Sequence, residues 1–98
     1  MSDITASELK DRQAKGEDLN ILDVREEWEF EEENMGAKLI PLNSLPTRLG
    51  EIEDWKGKEV IVHCRSGKRS AQAQKYMQAQ GFSNVRNLEG GIMAWSEA

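Results

Sequence analysis

The stretch Glu59-Val60-Ile61-Val62-His63-Cys64 restricts the fold more than any other, because three adjacent β-branched residues between polar ends read as a buried central strand. A polar turn, Arg65-Ser66-Gly67-Lys68-Arg69, follows at once, and a helix is predicted from Ser70 to Gln80, ended by Gly81. Strand, loop and helix in direct succession form the repeating piece of a parallel sheet, whose crossovers return each strand in the same direction.

The rest of the chain keeps that rhythm. Thr5 and Glu8 have the spacing of a capping box, Ile4 and Leu9 that of the hydrophobic staple across it, and Gly16 closes the first helix. Asn20 to Val24 reads as a short buried strand. An acidic helix is predicted over roughly Glu26 to Glu32, with Trp28 and Phe30 as its inward groups. Leu39 to Leu42 is a weaker strand, since Pro41 cannot donate to a ladder. Ser44 is placed as the cap of a helix reaching about Ile52, Asn84 to Leu88 as the last strand, and Gly90-Gly91 as the entry to a short helix holding Met93 and Trp95. The expected architecture is α/β, a mostly parallel sheet flanked by helices in three layers. At 98 residues, without repeats or linkers, one domain over residues 1–98 is expected. In such sheets ligands bind beyond the carboxyl ends of the strands.

One cysteine and one histidine allow neither an internal disulfide nor a tetrahedral zinc site, so no metal and no cofactor is expected. Met1 to Thr5 lacks a basic stretch leading into an apolar run, and no segment approaches a membrane span. The expectation is a cytoplasmic chain in a reducing compartment, away from membranes. A net charge of -5 argues against a nucleic-acid binder, which needs a basic face. From Val60 to Leu88 there is no Asp or Glu, while Arg65, Lys68, Arg69, Lys75 and Arg86 are all cationic, which leaves the remainder at -10. By composition alone a solvated helix face accounts for this asymmetry. The alternative is a segment that faces an anion.

Position decides between them. Cys64 ends the central strand, and the following loop wraps around the point where the free N–H groups of a helix emerge. Loop amides, the helix dipole and the cations Arg65, Lys68 and Arg69 all favour thiolate over thiol, which makes Cys64 a nucleophile at neutral pH. A lone cysteine after an apolar strand is more often a small core residue. The glycine-containing, triply basic loop reverses that reading.

These residues also carry a family likeness. Asp23-Val24-Arg25-Glu26 resembles the DVRE segment of the rhodanese-like domains, Cys64 to Ser70 their CRSGxRS active loop, and Asn87 to Trp95 their NLxGGIxAW close. The resemblance, to the single-domain members, spans nearly the whole chain in the right order. It departs at Glu33-Asn34-Met35-Gly36-Ala37, where many relatives have Gly-His-Ile before Gly-Ala. The resemblance implies a two-step transfer. Cys64 takes the outer sulfur of a small anionic donor such as thiosulfate, and a cyanide, thiol or thioredoxin-like acceptor then removes it. It makes Cys64 the nucleophile and lines the substrate site with Arg65, Ser66, Gly67, Lys68, Arg69 and Ser70. Their amides receive the anion and persulfide, with side-chain charge from Arg65 and Lys68. Arg69 either meets the substrate or turns inward to an acidic partner such as Asp23. Asp23 and Arg25, at a neighbouring strand end, are expected to brace the loop.

Alternation along the strand points His63 away from Cys64, a structural role rather than a general base. Ser66 and Ser70 are expected as hydroxyl donors to sulfur, Ser70 also as a helix cap. Trp28, Trp55, Tyr76, Phe82 and Trp95 read as core or partly exposed packing groups. The acidic run Glu26 to Glu33 reads first as a solvated face and second as a dock for a basic partner. Cysteine phosphatases and arsenate reductases also use a strand-loop-helix cradle, but they need one residue more between cysteine and arginine than the four separating Cys64 from Arg69. A persulfide carrier or interaction module without turnover of its own is the remaining alternative.

Overall fold

The computed structural model describes residues 3–98; Met1 and Ser2, the head of the N-terminal stretch read above, lie outside the described residues. The strand around Val60 is β3, Glu59–His63, and it lies in the interior of a sheet whose other members are β1 (Asn20–Asp23), β2 (Lys38–Leu39) and β4 (Asn84–Asn87). The order is β2-β1-β3-β4 and every pairing is parallel, with Asp23 opposite His63 and Val60 opposite Val85. Val60, Ile61 and Val62 are fully buried because both faces of the sheet are covered, which explains a continuous apolar run in place of alternation.

Two cores result. Val60, Val62 and Cys64 pack with Leu45, Ile52, Ala73, Met77 and Phe82 on the side of α3 (Leu45–Arg48) and α4 (Lys68–Ala79). Ile61 packs with Ile4, Leu9 and Leu88 on the side of α1 (Ala6–Ala14) and α5 (Gly91–Glu97). Burying each large apolar side chain stabilises the fold by roughly 2 kcal/mol. The chain passes from β1 outward to β2, then returns across β1 to β3. The strand order therefore reverses between β1 and β3, and the crevice at their carboxyl ends holds Asp23 and Cys64.

Several local expectations need correction. The Thr5 hydroxyl accepts from the Glu8 N–H at 3.1 Å, but the Glu8 carboxylate turns to Arg86 at 3.4 Å. In α2 (Glu27–Glu32) the buried residue is Glu29, while Trp28 is 61% exposed; the predicted inward tryptophan faces outward because an ion pair occupies the inner side. Strand β2 ends earlier than predicted. Beyond it the N–H groups of Ile40 and Leu42 still bond to Asp23 and Val24, so Pro41 falls between them, where an edge strand needs no donor. The helix placed from Ser44 to Ile52 is α3 between 3₁₀ turns at Leu42–Ser44 and Leu49–Trp55, and Ser44 makes no side-chain cap because its own backbone is already helical. Helix α4 begins at Lys68, ahead of Ser70, with Gly67 as its cap.

Candidate active site

Cys64 follows β3 directly and is 1% exposed. Its Sγ accepts the N–H of Gly67 at 3.1 Å and that of Ser70 at 3.4 Å, with the Ser70 hydroxyl also at 3.4 Å. The tight turn that delivers these donors requires φ +110° at Gly67, a conformation natural to glycine. Burial pushes the Cys64 thiol up, but hydrogen bonds from the Ser70 hydroxyl and from the Ser70, Gly67 and Ser66 amides outweigh it, so the thiol titrates below its ordinary range. Donors fixed in the loop do this work. Arg65, Ser66 and Lys68 are exposed, and neither Arg65 nor Lys68 forms an ion pair among the described residues.

Ser70 is not the helix cap. It lies in the first turn of α4, fully buried, and its hydroxyl sits 2.6 Å from Asn87 Oδ1. The Asn87 amide also donates to the Gly67 carbonyl at 3.1 Å, so one side chain from the end of β4 ties the loop to the helix start. Asn87 carried a signal in the sequence, as the first residue of the closing motif, but nothing there named its partners. A second fastening comes from α5. The Ile92 N–H donates to the Cys64 carbonyl at 2.9 Å and the Met93 N–H to the Arg65 carbonyl at 3.2 Å. With these carbonyls engaged behind the loop, its amides are free to face the sulfur. Gly91 makes the close approach possible, since a Cβ there would overlap the Arg65 carbonyl and lie 2.7 Å from the Cys64 oxygen.

Asp23 and Arg25 form a buried pair, with Arg25 Nη2 at 2.8 Å from Asp23 Oδ2. Their side-chain bonds run to each other and to α2 instead of to the loop. Arg25 reaches the carbonyls of Glu29 at 3.4 Å and Glu33 at 2.7 Å, and so pins α2. The loop is braced from there by Glu29, which sequence reasoning missed. Arg69 pairs with Glu29 and not with Asp23, at 2.6 and 2.9 Å. The Arg69 hydrogen bond, despite the opposing effect of burial, lowers the Glu29 carboxyl to about 2.

His63 is fully buried on the side away from Cys64 Sγ, with Nδ1 3.3 Å from the Cys64 carbonyl and Nε2 3.6 Å from Asp23 Oδ2, beyond hydrogen-bond reach. Burial lowers its pKa although the Asp23 charge pulls the other way. A cavity of about 190 Å³ opens beside the loop, between α2 and the start of α5, lined by Arg25, Trp28, Glu29, Arg65, Ile92 and Met93 among others. Among the described residues no cluster of His, Cys, Asp or Glu is suited to a metal ion, and no helix is long and apolar enough to cross a membrane.

The arrangement has known counterparts. A family profile described as Rhodanese-like domain matches residues 5–98. The chain is 37% identical over 97 residues to a sulfurtransferase of Allochromatium vinosum, covering 98% of this chain and 89% of that protein. It is 36% identical over 95 residues to a putative sulfur carrier protein of Bacillus subtilis, covering 96% of this chain and half, 50%, of that one. Among solved structures, a rhodanese-like domain protein from Staphylococcus aureus superposes with a TM-score of 0.86 at 34% identity, over 97% of this chain and 91% of that one.

Proposed function

The chain belongs to the rhodanese-like family of sulfurtransferases and sulfur carriers, and on that premise we propose that it moves a sulfane sulfur from a small anionic donor such as thiosulfate to a thiophilic acceptor through a persulfide on Cys64. The observation that carries this reading is the ring of donors on Cys64 Sγ, from Gly67 and Ser70, at the carboxyl end of the central strand.

The Cys64 thiolate attacks the outer sulfur of thiosulfate. A bond forms between Cys64 Sγ and that sulfur, the sulfur–sulfur bond of the donor breaks, and sulfite leaves with the electron pair. The dianion enters and a dianion departs, so unpaired cations at the rim favour both events; Arg65 and Lys68 fill that role. The terminal sulfur of the persulfide anion then occupies the cradle, stabilised by the loop amides from Arg65 to Ser70. In the second step cyanide takes this sulfur as thiocyanate, or a thiol takes it as a new persulfide, and Cys64 is released as thiolate. Arg69 holds the loop through Glu29, and Asp23 and Arg25 hold the helix that carries that glutamate. Residues 1–98 work as one domain, and a nucleophile of this kind suits a reducing cytoplasm.

A carrier that receives its sulfur from another protein would use the same persulfide, and the likeness to a putative sulfur carrier favours keeping that second reading. Intact mass after incubation with thiosulfate tests the first. The expected result is a gain of one sulfur atom in the parent and none in Cys64→Ser. A parent that stays unmodified by thiosulfate, yet gains sulfur from a protein persulfide, would make it a carrier only.

A further inference from the structure

Trp28 and Met93 are the large apolar side chains left exposed among the described residues, at 61% and 48%, and both line the cavity beside the active loop. An exposed apolar pair at a cavity next to a nucleophile is not explained by a substrate as small and charged as thiosulfate. It is the pattern of an interaction site. The surrounding charge identifies what fits it. Trp28 lies one helical turn from Glu31 and Glu32 on α2, and Glu27, Glu31, Glu32 and Glu33 are all exposed, with no ion pair among the described residues. Glu32 and Glu33 line the same cavity, and so does Arg65, next to Cys64 in the chain.

We propose that this surface docks the sulfur acceptor, and that the acceptor is a protein thiol carried on a basic segment with an apolar side chain beside the cysteine. The apolar side chain packs on Trp28 and Met93, its lysines or arginines meet the free carboxylates of α2, and its thiol is led past Arg65. This rests on the persulfide reading above. The acceptor thiol attacks the outer sulfur of the Cys64 persulfide anion, the bond from that sulfur to Sγ breaks, the thiol proton moves to the transferred sulfur, and Cys64 leaves as thiolate. No oxidant or reductant is needed.

The test separates docking from chemistry. Two peptides, Lys-Leu-Cys-Lys and Glu-Leu-Cys-Glu with the cysteine S-methylated, are titrated into the unloaded protein by calorimetry. The same peptides with free thiols are then offered to protein whose loading has been checked by mass. The lysine peptide is expected to bind about tenfold tighter, an advantage that shrinks as salt rises. That advantage should be inverted in the double variant Glu27→Lys/Glu32→Lys, and both peptides should bind several-fold more weakly to Trp28→Ala, which removes the contact for their common leucine, while cyanide turnover stays at the parent level. Equal binding of the two peptides by the parent, a preference surviving in the double variant, or unweakened binding to Trp28→Ala would overturn the proposal. Because binding is read without persulfide, a failure to load Cys64 would strike the chemistry and leave the docking result standing.

Discussion

The Arg69 guanidinium grips the Glu29 carboxylate with two parallel bonds, Nη1 to Oε1 at 2.6 Å and Nη2 to Oε2 at 2.9 Å, and so fixes the helix behind the active loop to α2. Glu29 titrates at about 2 in the folded state. A carboxylate held below its ordinary range contributes stability that is complete above the unfolded value and is lost as the pH falls toward the folded one. Acid unfolding should therefore remove roughly 2–3 kcal/mol between about pH 4.5 and 2, and Glu29→Gln should already lack most of it at neutral pH. Urea melts of both proteins across that range check this. An unchanged acid slope in the variant would deny the pair its role.

The donors on Cys64 make a different prediction about reactivity. Alkylation by iodoacetamide should rise with pH through a midpoint below that of an ordinary thiol. Ser70→Ala removes the hydroxyl yet keeps the amides, so its midpoint should move upward, and further than in Lys68→Ala, because the exposed lysine makes no contact with the sulfur. Lys68→Ala should instead raise the thiosulfate concentration needed for half-maximal loading, by a few-fold. The reverse ranking of the two midpoints would return the control of Cys64 to side-chain charge.

His63 sets the stability on the weakly acidic side. Burial keeps the folded histidine from taking a proton that the unfolded chain accepts near pH 6.5, so stability is complete above about that pH and declines below it, by about 1 kcal/mol per pH unit. His63→Gln should flatten the decline that begins below about pH 6.5, above the window that belongs to Glu29. Matching slopes in parent and variant, from denaturant midpoints, would assign the effect to another group.

Gly91→Ala should be among the most damaging single substitutions outside the core. The new Cβ meets backbone, not a flexible side chain, and φ is +63°. A loss of about 2–4 kcal/mol is expected, together with failure to load sulfur. Gly57→Ala, where a Cβ meets nothing within 4 Å, should change stability by no more than about 0.5 kcal/mol. Thermal melts and intact mass read both effects.

What was legible in the sequence follows from how locally each feature is encoded. The run Val60-Ile61-Val62 announces a doubly covered strand, and Cys64 followed by a glycine-containing turn announces a sulfur set at a helix start, because neighbours in the chain create both. Partners 40 residues apart, such as Glu29 and Arg69, leave no comparable mark. Trp28 was misplaced for the same reason. Periodicity ranks a tryptophan as inward over a glutamate, and only the distant arginine makes Glu29 the better buried residue. Ser44 to Ile52 reads as one helix because Ser44 offers a cap and apolar residues recur behind it; the helical dihedrals break at Ile52, with φ -120° and ψ 25°, where the side chain enters the core.

Asn87 and Ile92, which complete the cradle around Cys64, come from the last strand and helix of the described chain, more than twenty residues after the cysteine itself. During synthesis, Cys64 leaves the ribosome before either of them. Until β4 pairs with β3 and α5 docks behind the loop, the turn that holds the donors on Sγ lacks the bonds from Asn87 and Ile92. In a nascent chain the turn that carries Gly67 and Ser70 is therefore without its fastenings until the last strand and helix have been made.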